Sequence, residues 1–429
     1  LGHSILNINP KSKEEEYYLL YMRHYLQFVL KERRLLSFGL TFTFFSSFGQ
    51  TFLISLFVPF FLTNFNLSNT AFGSLYSLAT LSSAISLPFL GKWIDRLPLK
   101  KFSIMVAMGL MLAAFTVSIA WHVAILFAGL LMLRLAGQGL SGHTAQTAMA
   151  KFYNYQRGKA LSIASLGYPF GEAVLPLIIA ALIPILGWRG AWGGISIAIG
   201  VLLIPFVLKI LGGKMDAHTT PDPEAAQAND DAGDYRMVLT DKRFYLLLPA
   251  VLLPAFWVTG LFLYQISIAG QLGWSATLIA TAFIAHALAR ILSSVFVGPA
   301  IDAFSAGQLF PYHLIPIGLG FMVAYFHPGS WSAFIYMFLM GMTLGVSSNI
   351  KTALWTEMYG AETVGTIRSL FSSLMVFSTA MSPFIMGWLI DNGVPMTDIL
   401  LTAVTTVIVA TGLALLAFRQ DLWDNQTNN

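Results

Sequence analysis

Gly91-Lys92-Trp93-Ile94-Asp95 and Gly298-Pro299-Ala300-Ile301-Asp302 share one pattern, Gly-x-x-x-Asp, 207 residues apart. Each follows an apolar run of the roughly 20 residues that a helix needs to cross a bilayer. Gly158 and Gly365 keep the same offset, and so do Pro176 and Pro383. A single offset held at separate places points to internal duplication. Outward from these markers, apolar stretches recur along the chain. The predicted spans are 36–62, 71–91, 102–120, 123–147, 160–183, 190–210, 244–268, 276–299, 309–326, 332–352, 365–390 and 398–418.

Of the 429 residues, 56% are hydrophobic and 10% charged, with a mean hydropathy of +0.70. Soluble domains carry about 25% charged residues, so this composition cannot cover a water-facing surface. Inside a bilayer the backbone must satisfy itself, which leaves helices or a closed barrel. Barrel strands alternate polar and apolar residues, whereas these segments are apolar on every face. The predicted fold is an all-α polytopic membrane protein with twelve spans in two pseudo-symmetric six-helix bundles. Segment 1–35 precedes the first bundle, 36–210, and within it residues 13–30 can lie as a helix on the membrane surface. A linker, 211–243, leads to the second bundle, 244–418, and a tail, 419–429. The linker sets Asp222, Glu224, Asp230 and Asp231 among Ala, Pro and Gly, too polar to bury a core.

Charge gives the topology. All but Arg134, Arg189 and Arg290 of the 24 lysines and arginines fall on one side of the predicted spans, the side that faces the cytoplasm. Both termini are expected there, in a multi-pass protein of the inner (cell) membrane. Topology also accounts for the net charge of +4, so no nucleic-acid partner is implied. The chain has no cysteine, which excludes disulfides and thiolate metal sites, and no metal or cofactor is expected. The polar first 34 residues hold no signal-peptide core. Gly158-Lys159-Ala160 and Gly213-Lys214-Met215 lack the phosphate-cradling loop of an ATP-driven pump, and no His-Glu-x-x-His motif or paired intramembrane carboxylates suggest an enzyme.

Gly91-Lys92-Trp93-Ile94-Asp95-Arg96-Leu97-Pro98-Leu99-Lys100-Lys101 resembles the loop motif of the major facilitator superfamily, with Pro98 in place of its second glycine. The likeness runs from about Arg34 to Arg419. It implies alternating access between two bundles, with Gly91, Asp95 and Arg96 acting as a gate. Asp95 would face the positive N-terminal end of span 11 when the site opens outward. The second copy, Gly298 and Asp302, has lost its basic residues and should latch more weakly. Arg157-Gly158-Lys159-Ala160, Gly167-x-x-x-Gly171 and Gly187-Trp188-Arg189-Gly190 look like the monocarboxylate and oxalate–formate branch. That branch places an arginine in span 8 at the position of Ser294 here, and Arg290 stands one turn earlier.

Charges inside spans are costly, about 2.5–3.5 kcal/mol on insertion scales, and normally face a cavity or a partner. Arg134, Glu172 and Arg290 are the predicted intramembrane charges. Arg134 and Glu172 both lie 11 residues from the outer ends of spans 4 and 5, a shared depth of roughly 16 Å, and an ion pair between them is expected. His286 and Arg290 stand one turn apart on span 8 and can face one cavity; His143 is read as packing. The predicted substrate-binding residues are Arg290, His286, Arg134 and Tyr168, and the predicted proton carriers are Glu172 and His286. Two arginines against one glutamate favour a small organic anion such as a monocarboxylate, moved by a proton-coupled symporter working as a monomer. A proton/drug antiporter of lipophilic compounds and a non-transporting membrane sensor are the alternatives.

Overall fold

A computed structural model describes residues 10–153, 156–212, 235–327, 329–360 and 364–418. The described residues are helical almost throughout. Among the described residues, ten helices are long and apolar enough to cross a membrane. An eleventh span is the pair Tyr25–Gly49 and Thr51–Phe65, bent by 45° at Gln50. Arg157–Ile210, at 54 residues, is two spans joined at Gly187, whose φ of 67° only a residue without a Cβ adopts readily. That makes twelve. Spans 2 to 4 are Asn69–Asp95, Leu99–Ser118 and Val123–Phe152. Spans 7 to 10 are Lys242–Leu263, Ala276–Phe304, Ala306–Phe326 and Ser330–Tyr359. Spans 11 and 12 are Val364–Asp391 and Met396–Ala417.

The duplication is visible in how the helices begin and end. Span 1 stops at Asn66 in the left-handed region (φ 50°), and the Leu67 amide donates to the Leu62 carbonyl. The helix after span 7 stops at Gly273 (φ 73°), and the Trp274 amide donates to Ala269. These are the same αL cap. Ser68 then caps span 2 by accepting from the Ala71 amide, and Ser275 caps span 8 by accepting from Leu278. Every one of these residues is 207 positions from its counterpart.

Two expectations change. The helix Pro10–Phe45 is continuous, so residues 13–30 extend span 1 rather than forming a separate helix. Lys351, counted with the loop charges, lies inside span 10, because that helix runs on to Tyr359. Most of the predicted linker, 213–234, and the tail, 419–429, lie outside the described residues.

The face carrying Lys92, Arg96, Lys151 and Lys209 is termed the basic face. On the opposite face the halves are joined by several side chains. Asp391, ending span 11, accepts from the Asn69 and Thr70 amides at the start of span 2 (3.1 and 2.7 Å). The Tyr264 hydroxyl lies 2.7 Å from the Asn69 carbonyl and 3.1 Å from that of Pro383. Gln265 donates to the Phe52 carbonyl (3.1 Å) and to Ser55 (2.5 Å). Such contacts close that face. Span 2 reaches span 11 closely because Gly73 has no side chain; a Cβ there would strike the Pro383 carbonyl and the Tyr264 hydroxyl. Gly73→Val is therefore expected to hold the opposite face ajar. Maleimide labelling of a cysteine introduced at Ser77, buried one turn further along span 2, in a chain otherwise free of cysteine, should rise several-fold, and unchanged labelling would contradict this closure.

Candidate functional site

Small residues set the site before any charge does. On span 5, Gly167 packs against Thr43 and the Leu40 carbonyl of span 1, and Gly171 packs against Ser47. This glycine spacing lets two backbones touch, and it turns the next residue, Glu172, out of the first bundle. On span 10, Gly341 and Gly345 meet the backbone carbonyls of His286 and Arg290. Span 8 is thereby fixed with those two side chains facing span 5.

The three groups meet across the bundle interface. Arg290 donates from Nη1 to Oε1 of Glu172, and His286 Nε2 lies 3.7 Å from Oε2. The Glu172 side chain is 9% exposed and the His286 side chain 0%, but Arg290 keeps 31%. The guanidinium thus holds the carboxylate with one edge and offers the rest to open space. Tyr168, one turn before Glu172, lies near Gln146 of span 4 and within electrostatic reach of Arg290. Four of the five residues predicted for binding or proton transfer converge here.

Arg134 does not. Instead of pairing with Glu172, it donates to the Gly49 carbonyl (3.1 Å), Thr80 (3.2 Å) and Thr51 (3.4 Å), and lies over the Tyr76 ring. The cause is the bend at Gln50. Its extended backbone (ψ 149°) interrupts the helix at Gly49, and a carbonyl freed inside a membrane needs a donor. Residues Leu133–Ser141 form a π-helical stretch, which presents the guanidinium to that bend. Arg134 is 3% exposed and lies inside the first bundle.

A further intramembrane cation was missed. Lys351 is half-buried on span 10, its Nζ 3.5 Å from the Met375 sulfur of span 11. Among the described residues no carboxylate pairs with it. The signal lay in helix length: eight residues separate it from Tyr359.

The gate residues lie at the basic face. Asp95 pairs with Lys151, at the end of span 4 in its own half, at 2.6 Å, and among the described residues it makes no ion pair with span 11. Gly91 is buried, with its carbonyl 3.2 Å from His143 Nε2, and Arg96 is exposed. In the second half a Cβ at Gly298 would meet no other described residue within 4 Å, and Asp302 is exposed. Glu357 of span 10 instead accepts from the Ala306 and Gly307 amides (2.7 and 2.9 Å). Each half therefore ties its own loop to its own fourth helix, once by an ion pair and once by a carboxylate on helix amides.

The family model of the major facilitator superfamily matches residues 40–268. No curated protein matches the chain in sequence. Among solved structures, the nucleoside transporter NupG is similar with a TM-score of 0.70 at 13% identity, covering 90% of this chain and 99% of that one. A bacterial homologue of the human lysosomal transporter Spinster, inward-facing and occupied, gives 0.66 at 16% identity, covering 91% and 97%. At such identities the likeness is one of fold.

Proposed function

The chain belongs to the major facilitator superfamily, and on that premise we propose that it is a proton-coupled secondary transporter of a small organic anion, with a monocarboxylate the simplest case. The observation that carries this reading is the inter-half contact of Arg290 with Glu172. A carboxylate substrate can compete for the same guanidinium, because Arg presents a fork of donors matched to carboxylates. Once displaced, Glu172 is a buried carboxylate without its counter-charge, and taking up a proton is its least costly response. Anion and proton would then be bound in one event, which is the logic of symport. Lys351 adds a second cation on the wall of the second bundle. A lipophilic-cation antiporter fits less well, since the acid it needs is already held by arginine.

Positive charge would place the basic face in the cytoplasm, both termini inside and the protein in the inner membrane. Both halves that would line the path belong to one chain, so a monomer would suffice. The test is uptake of a radiolabelled carboxylate panel into proteoliposomes, with and without a pH gradient. At least one small carboxylate should accumulate, and an inward proton gradient should raise its accumulation about tenfold, one pH unit being worth about 1.4 kcal/mol. Uptake of none would remove the anion reading. Uptake indifferent to the gradient would remove the proton.

A further inference from the structure

Two buried polar atoms at this site face each other with no hydrogen bond, Glu172 Oε2 and His286 Nε2. The rest of each group is committed. Glu172 Oε1 takes Arg290, and His286 Nδ1 lies 3.2 Å from the Met337 carbonyl of span 10. A carbonyl can only accept, so Nδ1 carries a hydrogen. In the neutral ring Nε2 is then a bare lone pair, aimed at a carboxylate oxygen that also only accepts. Each such buried orphan is unfavourable, and two acceptors facing each other add repulsion. The Phe262 and Phe283 rings, 5.3 and 5.9 Å from the imidazole, shield the ring on its flanks. One proton, on either atom, converts the mismatch into a charge-assisted hydrogen bond after a small approach. The groups facing the pair from packed elements are Arg290 on span 8, Tyr168 on span 5 and the Met337 carbonyl on span 10.

We propose that Glu172 and His286 form a dyad that holds one proton between the two halves, and that this proton fastens span 5 to span 8 in the arrangement closed on the opposite face. The inference rests on the proton-coupled reading and deepens it, since the proton belongs to the pair rather than to either residue. Reciprocity follows: if the closed arrangement binds the proton more tightly, the proton favours the closed arrangement by the same factor. Deprotonation replaces this bond by repulsion, leaves the Arg290–Glu172 pair as the remaining tie at the dyad, and shifts the equilibrium towards release of the halves.

Spin labels on cysteines introduced at Thr63 and Thr277, exposed on the opposite face of each half, report that equilibrium by electron–electron distance. In the unsubstituted background the closed-to-open ratio should fall at least about tenfold as pH is raised through the dyad's titration, the worth of one hydrogen bond to a charged group. His286→Gln supplies an amide N–H that can donate to Glu172 with no added proton, so closure should persist while its pH dependence vanishes. A pH dependence unchanged in His286→Gln would overturn the dyad. So would a distance distribution indifferent to pH in the unsubstituted background, which stands even where the variant fails to fold. If that indifference accompanied proton-driven uptake, the dyad alone would fall; a titrating dyad with uptake blind to the gradient would remove the symport reading alone.

Discussion

Arg290→Ala is expected to lower anion uptake by at least a hundredfold, whereas Glu172→Gln is expected to preserve anion binding and exchange while abolishing proton-driven accumulation. The asymmetry follows from which charge is left behind. Removing Arg290 strands a carboxylate whose side chain is 9% exposed, and an orphaned partner of a buried pair costs about 3–5 kcal/mol, a factor of a hundred or more. It also deletes the cation that an incoming anion would engage. Removing the charge of Glu172 strands an arginine that keeps 31% of its side-chain surface open, so the cost is smaller and the anion's foothold survives. Arg290→Lys keeps the charge but not the fork of donors and should fall between. The readouts are net uptake under a pH gradient and substrate exchange at equal pH, in the same vesicles. Arg290→Ala with ordinary exchange would remove the guanidinium from the substrate's path. Glu172→Gln with intact gradient-driven accumulation would remove the acid from coupling.

What the sequence disclosed of this site, and what it withheld, has a physical pattern. Period and offset are properties of one chain segment, so the twelve spans, the repeat at 207 residues and the candidate residues on spans 5 and 8 could be read directly. Partnership is different. Arg134 and Glu172 were matched by depth, and depth is only one of the coordinates that a contact requires. Helix rotation decided against them: the bend at Gln50 offered Arg134 a carbonyl within its own bundle. Glu172 and Arg290 are 118 positions apart and meet only because the bundles dock, which no local spacing encodes. Gly167, Gly171, Gly341 and Gly345 did carry a hint, since close-packing glycines on spans 5 and 10 restrict which faces remain for the interface. Lys351 was misplaced for a plainer reason. The predicted span 332–352 ends one residue beyond it, which reads it as a charge at the membrane edge, whereas the helix runs on to Tyr359 and the side chain reaches the Met375 sulfur of span 11.

The largest conformational effect is expected from Asp391, just past the predicted end of span 11. Its carboxylate takes four hydrogen bonds from the start of span 2: the Asn69 amide (3.1 Å), Asn69 Nδ2 (2.8 Å), the Thr70 amide (2.7 Å) and Thr70 Oγ1 (2.6 Å). A helix N-terminus presents free N–H groups and the positive end of its dipole, so this is a carboxylate latch between halves. Asp95 at the other end of span 2 has the complementary opportunity on the basic face, the N-terminus of span 11, but here it is paired with Lys151. Spans 2 and 11 each carry an acid at one end and a receptive N-terminus at the other, and a rocking motion that engages one latch withdraws the other. Asp391→Ala should therefore shift the equilibrium towards the arrangement open on the opposite face by about tenfold, the lower bound for losing hydrogen bonds to a charged group at a partly exposed site. Asp95→Ala should shift it the other way, and the double variant should return towards the starting ratio, because the two losses act on opposite states. The Thr63–Thr277 label pair measures all three. Shifts of the same sign in the two single variants, or an unaltered distribution in Asp391→Ala, would show that closure of the opposite face is set by apolar packing of spans 2 and 11 and owes nothing to the carboxylate.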